Sequence, residues 1–315
     1  MDIGSVCLLG GSGFVGRSIA DHATERGIRV RVLTRDAARA RALTVLPTVE
    51  LMQGDPSHEA TLAAAFEGMD AAVNLVGILH ESRAQSFSAV HAELPQRVGR
   101  AAAAAGIQHL VHVSALGASE KAPSNYLRSK AAGEAALRMG AGVVPWTLLR
   151  PSVIFGEGDR FLNLFAALAK LFPVLPLAGA DARFQPVWVE DVARCCVAAL
   201  GDARSFGQAY ELCGPRAYTL EELVRLVAAT MGLRRTVLPL PPALGRMQAF
   251  MLEHLPGKLM TRDNLRSMSV PNVCTAKRPP VCAFEPAAIE AVLPQYLGAA
   301  SGGARYARYR NHAGR

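Results

Sequence analysis

The stretch that decides the fold is residues 5–16, Ser-Val-Cys-Leu-Leu-Gly-Gly-Ser-Gly-Phe-Val-Gly. The short apolar run from Val6 to Leu9 predicts a buried strand. The apolar periodicity from Phe14 to about Arg26 predicts a helix. The glycines therefore lie in a turn that joins a strand to a helix, which is the context in which a glycine motif carries a function.

Each of three glycines in this turn has a separate physical use. Gly10 permits a tight turn, Gly13 lets the backbone approach a pyrophosphate, and Gly16 lets the helix lie close to the strand. The N-terminus of the helix then offers free N–H groups and a positive dipole end to the phosphates. An ordinary glycine-rich turn is the alternative. We predict dinucleotide binding by the turn and the first helical residues, namely Gly10, Ser12, Gly13, Phe14, Val15 and Gly16.

The end of the second predicted strand, 28–33, bears on the choice of dinucleotide. An acidic residue at this place usually binds the ribose 2′-OH of NAD, whereas a nearby arginine accommodates the 2′-phosphate of NADP. Thr34 stands where the acid would stand and Arg35 follows it, which favours NADP(H) over NAD(H). Two alternatives remain, that Asp36 is the acid that binds NAD and that Arg35 is a solvated surface charge.

Other candidate cofactor residues follow later strands, because ligands bind at the carboxyl ends of the strands in open α/β sheets. Asp55, after the third strand, either hydrogen-bonds the adenine or caps the next helix. A glycine after the fourth strand would let the ribose and phosphate lie against the backbone. The candidates at these strand ends are Gly54, Asp55, Val76, Gly77, Pro151 and Val153.

The pattern of elements predicts the fold class and the domain organisation. Strands alternate with helices over the first half of the chain, which is typical of an α/β fold with a Rossmann-type doubly wound parallel sheet. We expect residues 1–156 to form the nucleotide-binding domain. Residues 157–304 are expected to form a mixed, smaller C-terminal substrate lobe, with 184–212 returning to the Rossmann core. The basic tail, 305–315, has no apolar periodicity, and we expect it to be mobile.

Composition narrows the class of protein and its compartment. The chain has 315 residues, of which 50% are hydrophobic and 19% charged, as expected of a globular protein. The net charge of +8 suits a phosphorylated cofactor or an anionic surface, and it alone does not support nucleic-acid binding. The six cysteines include no CxxC pair, so we expect buried, reduced thiols, no metal site and a cytoplasmic location. We also expect no signal peptide and no membrane span.

The chemistry is expected to come from a tyrosine and a lysine on one helical face. Tyr126 and Lys130 are four residues apart on a predicted helix, so both side chains point the same way. Lys130 can lower the pKa of Tyr126, and Tyr126 can then exchange a proton with a substrate oxygen. Ser114, at the end of the fifth strand, could hydrogen-bond the same oxygen. The alternative is that Tyr126 is a core residue and Lys130 only binds the cofactor ribose.

The sequence pattern of residues 87–105 predicts a helix that is kinked at Pro95. Three histidines lie near the expected core, His91, His109 and His112. Their spacing is not that of metal ligands, so we interpret them as structural residues.

Taken together, these motifs resemble the extended and atypical short-chain dehydrogenase/reductase superfamily. The resemblance rests on GxxGxxG at 10–16, Gly54-Asp55, Ser114, the Tyr126/Lys130 pair and Arg-Pro-Ser-Val-Ile-Phe-Gly at 150–156. Three further stretches, 126–134, 184–193 and 259–268, resemble the bacterial relatives of the NADPH-binding accessory subunit of respiratory complex I.

The resemblance implies a bound nicotinamide dinucleotide and three candidate roles. The first is an NADP(H)-dependent oxidoreductase linked to quinone or respiratory metabolism, acting on a quinone or another small carbonyl. The second is a non-catalytic accessory or assembly subunit of a respiratory NADH:quinone oxidoreductase, in a respiratory complex or peripheral on the cytoplasmic face of the inner membrane. The third is an NAD-dependent epimerase/dehydratase, which is disfavoured by His91 where many extended members carry asparagine.

Overall fold

The computed structural model of the chain describes residues 2–82, 84–254, 259–276 and 279–298. The strands are β1 (Ser5–Leu9), β2 (Arg29–Thr34), β3 (Val49–Gln53), β4 (Ala71–Asn74), β5 (His109–Val113), β6 (Trp146–Pro151), β7 (Ile154–Phe155), β8 (Val174–Leu177), β9 (Arg183–Phe184), β10 (Val187–Trp188), β11 (Gln208–Leu212), β12 (Tyr218–Thr219) and β13 (Thr236–Pro239). The α-helices are α1 (Phe14–Glu25), α2 (Ala37–Ala40), α3 (Glu59–Phe66), α4 (Leu94–Ala104), α5 (Asn125–Ala141), α6 (Phe161–Leu171), α7 (Val189–Leu200), α8 (Leu220–Thr230), α9 (Pro242–Glu253), α10 (Arg262–Ser267) and α11 (Ile289–Leu297). Shorter helical segments are Arg41–Val45 and Ala203–Ser205, both 3-10, and the π-helical segment Ser88–Glu93.

A seven-stranded sheet organises the fold, with the order β11-β6-β5-β4-β1-β2-β3. Every neighbouring pair in it is parallel. The predicted α/β Rossmann-type fold is thereby confirmed. The strand order reverses at β1, which lies between β2 and β4, and the crevice outside the carboxyl ends at such a reversal is where ligands bind.

The described residues form two compact units. The first comprises 2–152, 189–212 and 274–284, and the second comprises 153–188, 213–273 and 285–298. The predicted tail, 305–315, lies outside the described residues.

In the first unit, helices α3, α4 and α5 cover one face of the sheet and form a single apolar core with it. Helix α7, late in the chain, packs against α1. Glu190 joins these two helices, because it accepts from Ser18 Oγ at 2.9 Å and lies 2.8 Å from His22 Nε2. A late segment of the chain is thus bonded to the helix that follows the glycine turn.

A buried ion pair holds α5 against β6. Glu134 is only 2% exposed, and its carboxylate accepts from Arg150 Nε at 2.8 Å and from the same guanidinium at 2.5 Å. Arg138 adds a third donor at 3.3 Å. Because a buried charge is costly unless it is paired, this carboxylate depends on both arginines.

In the second unit, helices α6, α8 and α11 pack around an apolar core with the short strands. The sequence Thr219 to Glu222 forms a capping box at the start of α8. This motif is local, since the Thr219 hydroxyl accepts from the Glu222 N–H at 3.1 Å and the Glu222 carboxylate accepts from the Thr219 N–H at 2.7 Å.

One local prediction is wrong in detail. The helix predicted for 87–105 is divided into the π-helical segment Ser88–Glu93 and helix α4, and Pro95 lies in the first turn of α4, directly after that segment. Within residues 183–188 the chain forms two two-residue strands, β9 and β10, which pair with different partners.

The expectation of reduced cysteines is wrong for four of the six cysteines. Cys195 of α7 and Cys282 are joined by a disulfide within the first unit, and Cys213 and Cys274 are also disulfide-bonded, whereas Cys7 and Cys196 are free, buried thiols. Across the part of the chain that the structure describes, no helix has the length and apolar character needed to cross a bilayer.

We predict that Glu134→Gln lowers the free energy of unfolding by about 2 kcal/mol, because it removes the buried partner of the Arg150 guanidinium. Glu93→Gln is the matched control. Glu93 also faces an arginine one turn away, Arg97 at 3.4 Å, but this pair is exposed and its loss should cost less than about 0.5 kcal/mol. Urea unfolding of both variants measures the difference, and equal losses would contradict the prediction.

Candidate functional site

In the glycine turn, the backbone of helix α1 lies directly against the backbone of the residues that follow β1. Gly10 has a φ of +82°, and its carbonyl accepts from the Gly13 N–H at 3.0 Å. A Cβ on Gly16 would lie 2.6 Å from the Gly11 carbonyl oxygen and 2.7 Å from that of Gly10. Helix α1 therefore starts tight against the turn, and its first amides, from Phe14 onward, have no intrahelical acceptor. This cradle fits a pyrophosphate.

The end of β2 is bonded to the glycine turn. The hydroxyls of Ser12 and Thr34 lie 3.1 Å apart. The Asp36 carboxylate caps α2 by accepting from the Arg39 N–H at 3.2 Å, and it also pairs with Arg39 Nε at 3.1 Å. Arg35 is exposed between Thr34 and Asp36. The structure thus brings Ser12 and Thr34 together and engages Asp36 with its own helix.

After β3, the predicted residues Gly54 and Asp55 form a turn. The N–H of Gly54 donates to the Thr34 carbonyl at 2.9 Å. Asp55 Oδ1 accepts from the Ser57 N–H at 2.9 Å, and this bond holds the pKa of the carboxyl below its usual range. The Asp55 side chain therefore stabilises a turn before α3, and the N-cap position of α3 is His58.

After β4, Val76 and Gly77 approach two different parts of the site. A Cβ on Gly10 would lie 3.5 Å from Val76 N, so Val76 borders the glycine turn. A Cβ on Gly77 would lie 3.4 Å from His91 Nε2 and 3.9 Å from Lys130 Nζ. Gly77 therefore lies beside the predicted lysine.

Ser114 and Pro151 lie at the ends of β5 and β6. The Ser114 N–H donates to the Leu149 carbonyl at 2.7 Å, and the Pro151 carbonyl accepts from the Leu116 N–H at 2.9 Å. The Ser114 hydroxyl is buried, and its oxygen has no hydrogen-bond partner among the described residues. Val153 belongs to the second unit, where its N–H donates to the Asn272 side chain at 2.9 Å.

Helix α5 carries the other two candidate catalytic residues. It starts after Ser124, whose hydroxyl accepts from the Leu127 N–H at 3.2 Å. Lys130 is buried and donates to the Val113 carbonyl at 2.9 Å, and burial lowers its pKa to about 8. Burial raises the pKa of Tyr126 to about 12, so the lowering that we expected from Lys130 is wrong.

His91 is a site residue whose contacts the sequence did not reveal. It is 2% exposed, its Nε2 lies 3.0 Å from the Ile78 N–H donor, and its Nδ1 lies 2.8 Å from Ser129 Oγ. Burial and the nearby Lys130 charge lower its pKa to about 3, so the ring is neutral. Its only signal in the sequence is the histidine itself, where the resemblance leads one to expect asparagine.

Two more polar atoms are buried near these residues. Asn74 and His112 are register partners on β4 and β5. Asn74 Nδ2 and His112 Nδ1, like the Ser114 hydroxyl, lack a partner within the described ranges. The carboxyl edge of these two strands therefore holds polar groups whose hydrogen-bonding capacity is unused.

Comparison with known proteins identifies the class. The chain belongs to the NAD(P)H-binding family, whose profile matches residues 10–203. Its relatives include a subunit of NADH dehydrogenase [ubiquinone] and a ceramide reductase, so the resemblance to the accessory subunit of complex I described above is confirmed.

Individual relatives carry more specific names. The chain is 33% identical over 241 residues to NADH dehydrogenase [ubiquinone] 1 alpha subcomplex subunit 9 of Mus musculus, covering 74% of this chain and 62% of that protein. It thus spans less than two thirds of that relative. It is 32% identical to the ceramide reductase of Caulobacter vibrioides over 249 residues, covering 76% and 74% of the two chains. A NADPH-dependent quinone oxidoreductase from Escherichia coli, solved with NADPH, shares the fold with a TM-score of 0.74, 20% identity and coverage of 91% and 98%.

We predict that the stability of the protein, relative to Lys130→Met, rises as the pH increases from about 8 to about 10. The Lys130 pKa is lowered from 10.5 to about 8 in the folded protein, so between these values the unfolded chain binds a proton that the folded chain does not. Urea unfolding between pH 7 and 10 measures this. Lys121→Met, at an exposed lysine, controls for the change in net charge. A constant difference across this range would show that the Lys130 amine is not titrating there.

Proposed function

We propose that this protein is an NADP(H)-dependent oxidoreductase that reduces a quinone or another small carbonyl compound. The observation that carries the proposal is the buried Ser114 hydroxyl, which has no partner within the described part of the chain and lies at the carboxyl edge of the sheet. Such a hydroxyl is available to a substrate oxygen. Tyr126 supplies the proton that carbonyl reduction requires, and Lys130 binds the cofactor.

Each residue has a separate role in this reaction. When bound, the reduced nicotinamide supplies a hydride to the carbonyl carbon. Ser114 donates a hydrogen bond that orients the carbonyl oxygen, and the Tyr126 phenol gives that oxygen its proton. The raised pKa of Tyr126 keeps the phenol protonated at neutral pH, which suits the direction of reduction. Lys130 binds the ribose, and solvent returns a proton to the tyrosinate that the transfer leaves.

The preference for NADP(H) rests on the end of β2. Thr34 stands where an acid would bind the 2′-OH, and it is hydrogen-bonded to Ser12 of the glycine turn. The competing acid, Asp36, is engaged as the cap of α2 and with Arg39. Arg35 is exposed beside them and is the cation that we assign to the 2′-phosphate.

A second candidate is a non-catalytic accessory or assembly role in a respiratory NADH:quinone oxidoreductase, peripheral to a membrane. The observation that favours it is the similarity to complex I subunits from several organisms. In this role NADPH binds tightly and is not consumed. Nucleotide released from the denatured protein, together with the response of NADPH to added quinones and aldehydes, separates the two candidates.

We predict that Tyr126→Phe lowers the rate of carbonyl-dependent NADPH oxidation about 100-fold or more, because the proton donor is lost. The dissociation constant for NADPH should change less than about threefold, since the ring is kept. Tyr210→Phe is the matched control, because its hydroxyl bonds only to a backbone carbonyl in the described structure, that of Arg204. If wild type oxidises NADPH with no member of a quinone and aldehyde panel, the oxidoreductase proposal fails and the accessory role stands.

We also predict that Arg35→Ala weakens NADPH binding about tenfold, or roughly 1.4 kcal/mol, and leaves NADH binding unchanged. Arg41→Ala, which removes a neighbouring exposed arginine, controls for net charge. Fluorescence titration of wild type and of both variants with NADPH and NADH gives the change in the dissociation constant for each nucleotide. A wild-type preference for NADH would make Asp36, rather than Arg35, the residue that selects the cofactor.

A further inference from the structure

We propose that His91 is a positioning residue, which ties the loop after β4 to helix α5 and so sets the gap between Gly77 and the Tyr126/Lys130 face. The inference rests on the proposed function, because this gap is where the ribose and nicotinamide of the cofactor would lie. It adds to that function a residue that touches neither cofactor nor substrate.

The partners of His91 determine which of its ring nitrogens accepts a hydrogen bond and which donates one. The Ile78 N–H can only donate, so Nε2 must accept its hydrogen bond at 3.0 Å. The proton of the neutral ring is then on Nδ1, which donates to Ser129 Oγ at 2.8 Å. The Ser129 hydroxyl in turn donates to the Tyr126 carbonyl at 2.7 Å. The loop after β4 is thereby connected to the backbone of the residue that we assign as the acid.

Packing keeps the His91 ring in this orientation. Phe87 stacks on it with ring centroids 5.3 Å apart, and the Tyr126 ring meets it edge-on at 5.7 Å. The backbone is also held, because a Cβ on Gly133 of α5 would collide with the His91 carbonyl oxygen. The π-helical segment that carries His91 thus lies directly on α5.

The connection has a consequence at the cofactor position. His91 Nε2 and Lys130 Nζ both lie close to Gly77, within 3.4 and 3.9 Å of where its Cβ would be. Ile78, the next residue, is the one that His91 accepts from. Loss of the imidazole releases this loop from α5 and leaves the spacing between Gly77 and Lys130 undefined.

The test compares two histidines that are matched in burial and bonding. His91→Phe keeps an aromatic ring and removes both hydrogen bonds. His109→Phe is the control, because His109 is also buried, bonds the Leu200 carbonyl at 3.0 Å and Thr147 Oγ1 at 2.9 Å, and lies at the opposite end of β5 from Ser114. Its neutral ring also has a low pKa, about 4. His91→Gln is the rescue variant, since its amide can accept from Ile78 and donate to Ser129.

We expect His91→Phe to raise the dissociation constant for NADPH at least tenfold, and His91→Gln to recover most of this loss. His109→Phe should lower the melting temperature by a similar amount but change NADPH affinity less than twofold. Equal affinity losses in the two Phe variants, or unchanged affinity in His91→Phe, would overturn the inference. If wild type binds neither NADPH nor NADH, the proposed function fails instead, so the two failures are distinguishable.

The tautomer gives a second readout that does not depend on activity. Nitrogen-15 spectra of the whole protein should show His91 neutral with the proton on Nδ1 from pH 5 to 8. The charged or titratable groups that face it are Lys130, Tyr126 and His112. A His91 ring that becomes protonated within this range, or that carries its proton on Nε2, would contradict the assigned direction of the bonds.

Discussion

The contact of Gly16 with the backbone of Gly10 and Gly11 is the constraint on which the first unit depends. No side chain fits there, so α1 starts at backbone distance from the end of β1. The same turn reaches Thr34 at the end of β2 through Ser12, and it borders Val76 after β4. One turn therefore contacts the ends of the strands on both sides of the reversal of the sheet, and the pyrophosphate cradle follows from that closeness.

Helix α5 shows how polar groups orient an element that must position chemistry. Its buried face includes Lys130 and Glu134 as well as leucines. Lys130 bonds a carbonyl of β5, and Glu134 pairs with Arg150 of β6. Apolar packing alone tolerates small rotations of a helix, whereas these bonds have preferred distances and directions. The orientation of the Tyr126/Lys130 face is thus determined by the strands that end at the same edge.

The features that could be predicted from the sequence are those that depend on residues close together along the chain. The glycine spacing and the alternation of strands and helices predict the parallel sheet, and the Thr219–Glu222 capping box is found as a local motif. The Cys195–Cys282 disulfide joins residues 87 apart in sequence, with no spacing signal. The bonds of His91 depend on residues from two other segments, and the raised pKa of Tyr126 depends on burial. The apolar periodicity of the sequence carries no signal for tertiary contacts of this kind.

The π-helical segment has a consequence for comparing this chain with others. A π turn contains more residues than an α turn, so residues on its two sides are out of the register that a continuous α-helix would give. Each residue by which an alignment slips there rotates the assigned position by about 100° around the axis. Relatives that have a regular α-helix here must be aligned by superposing the backbones. A gapless sequence alignment across Ser88–Glu93 would match the residue that contacts α5 with the wrong residue of the relative.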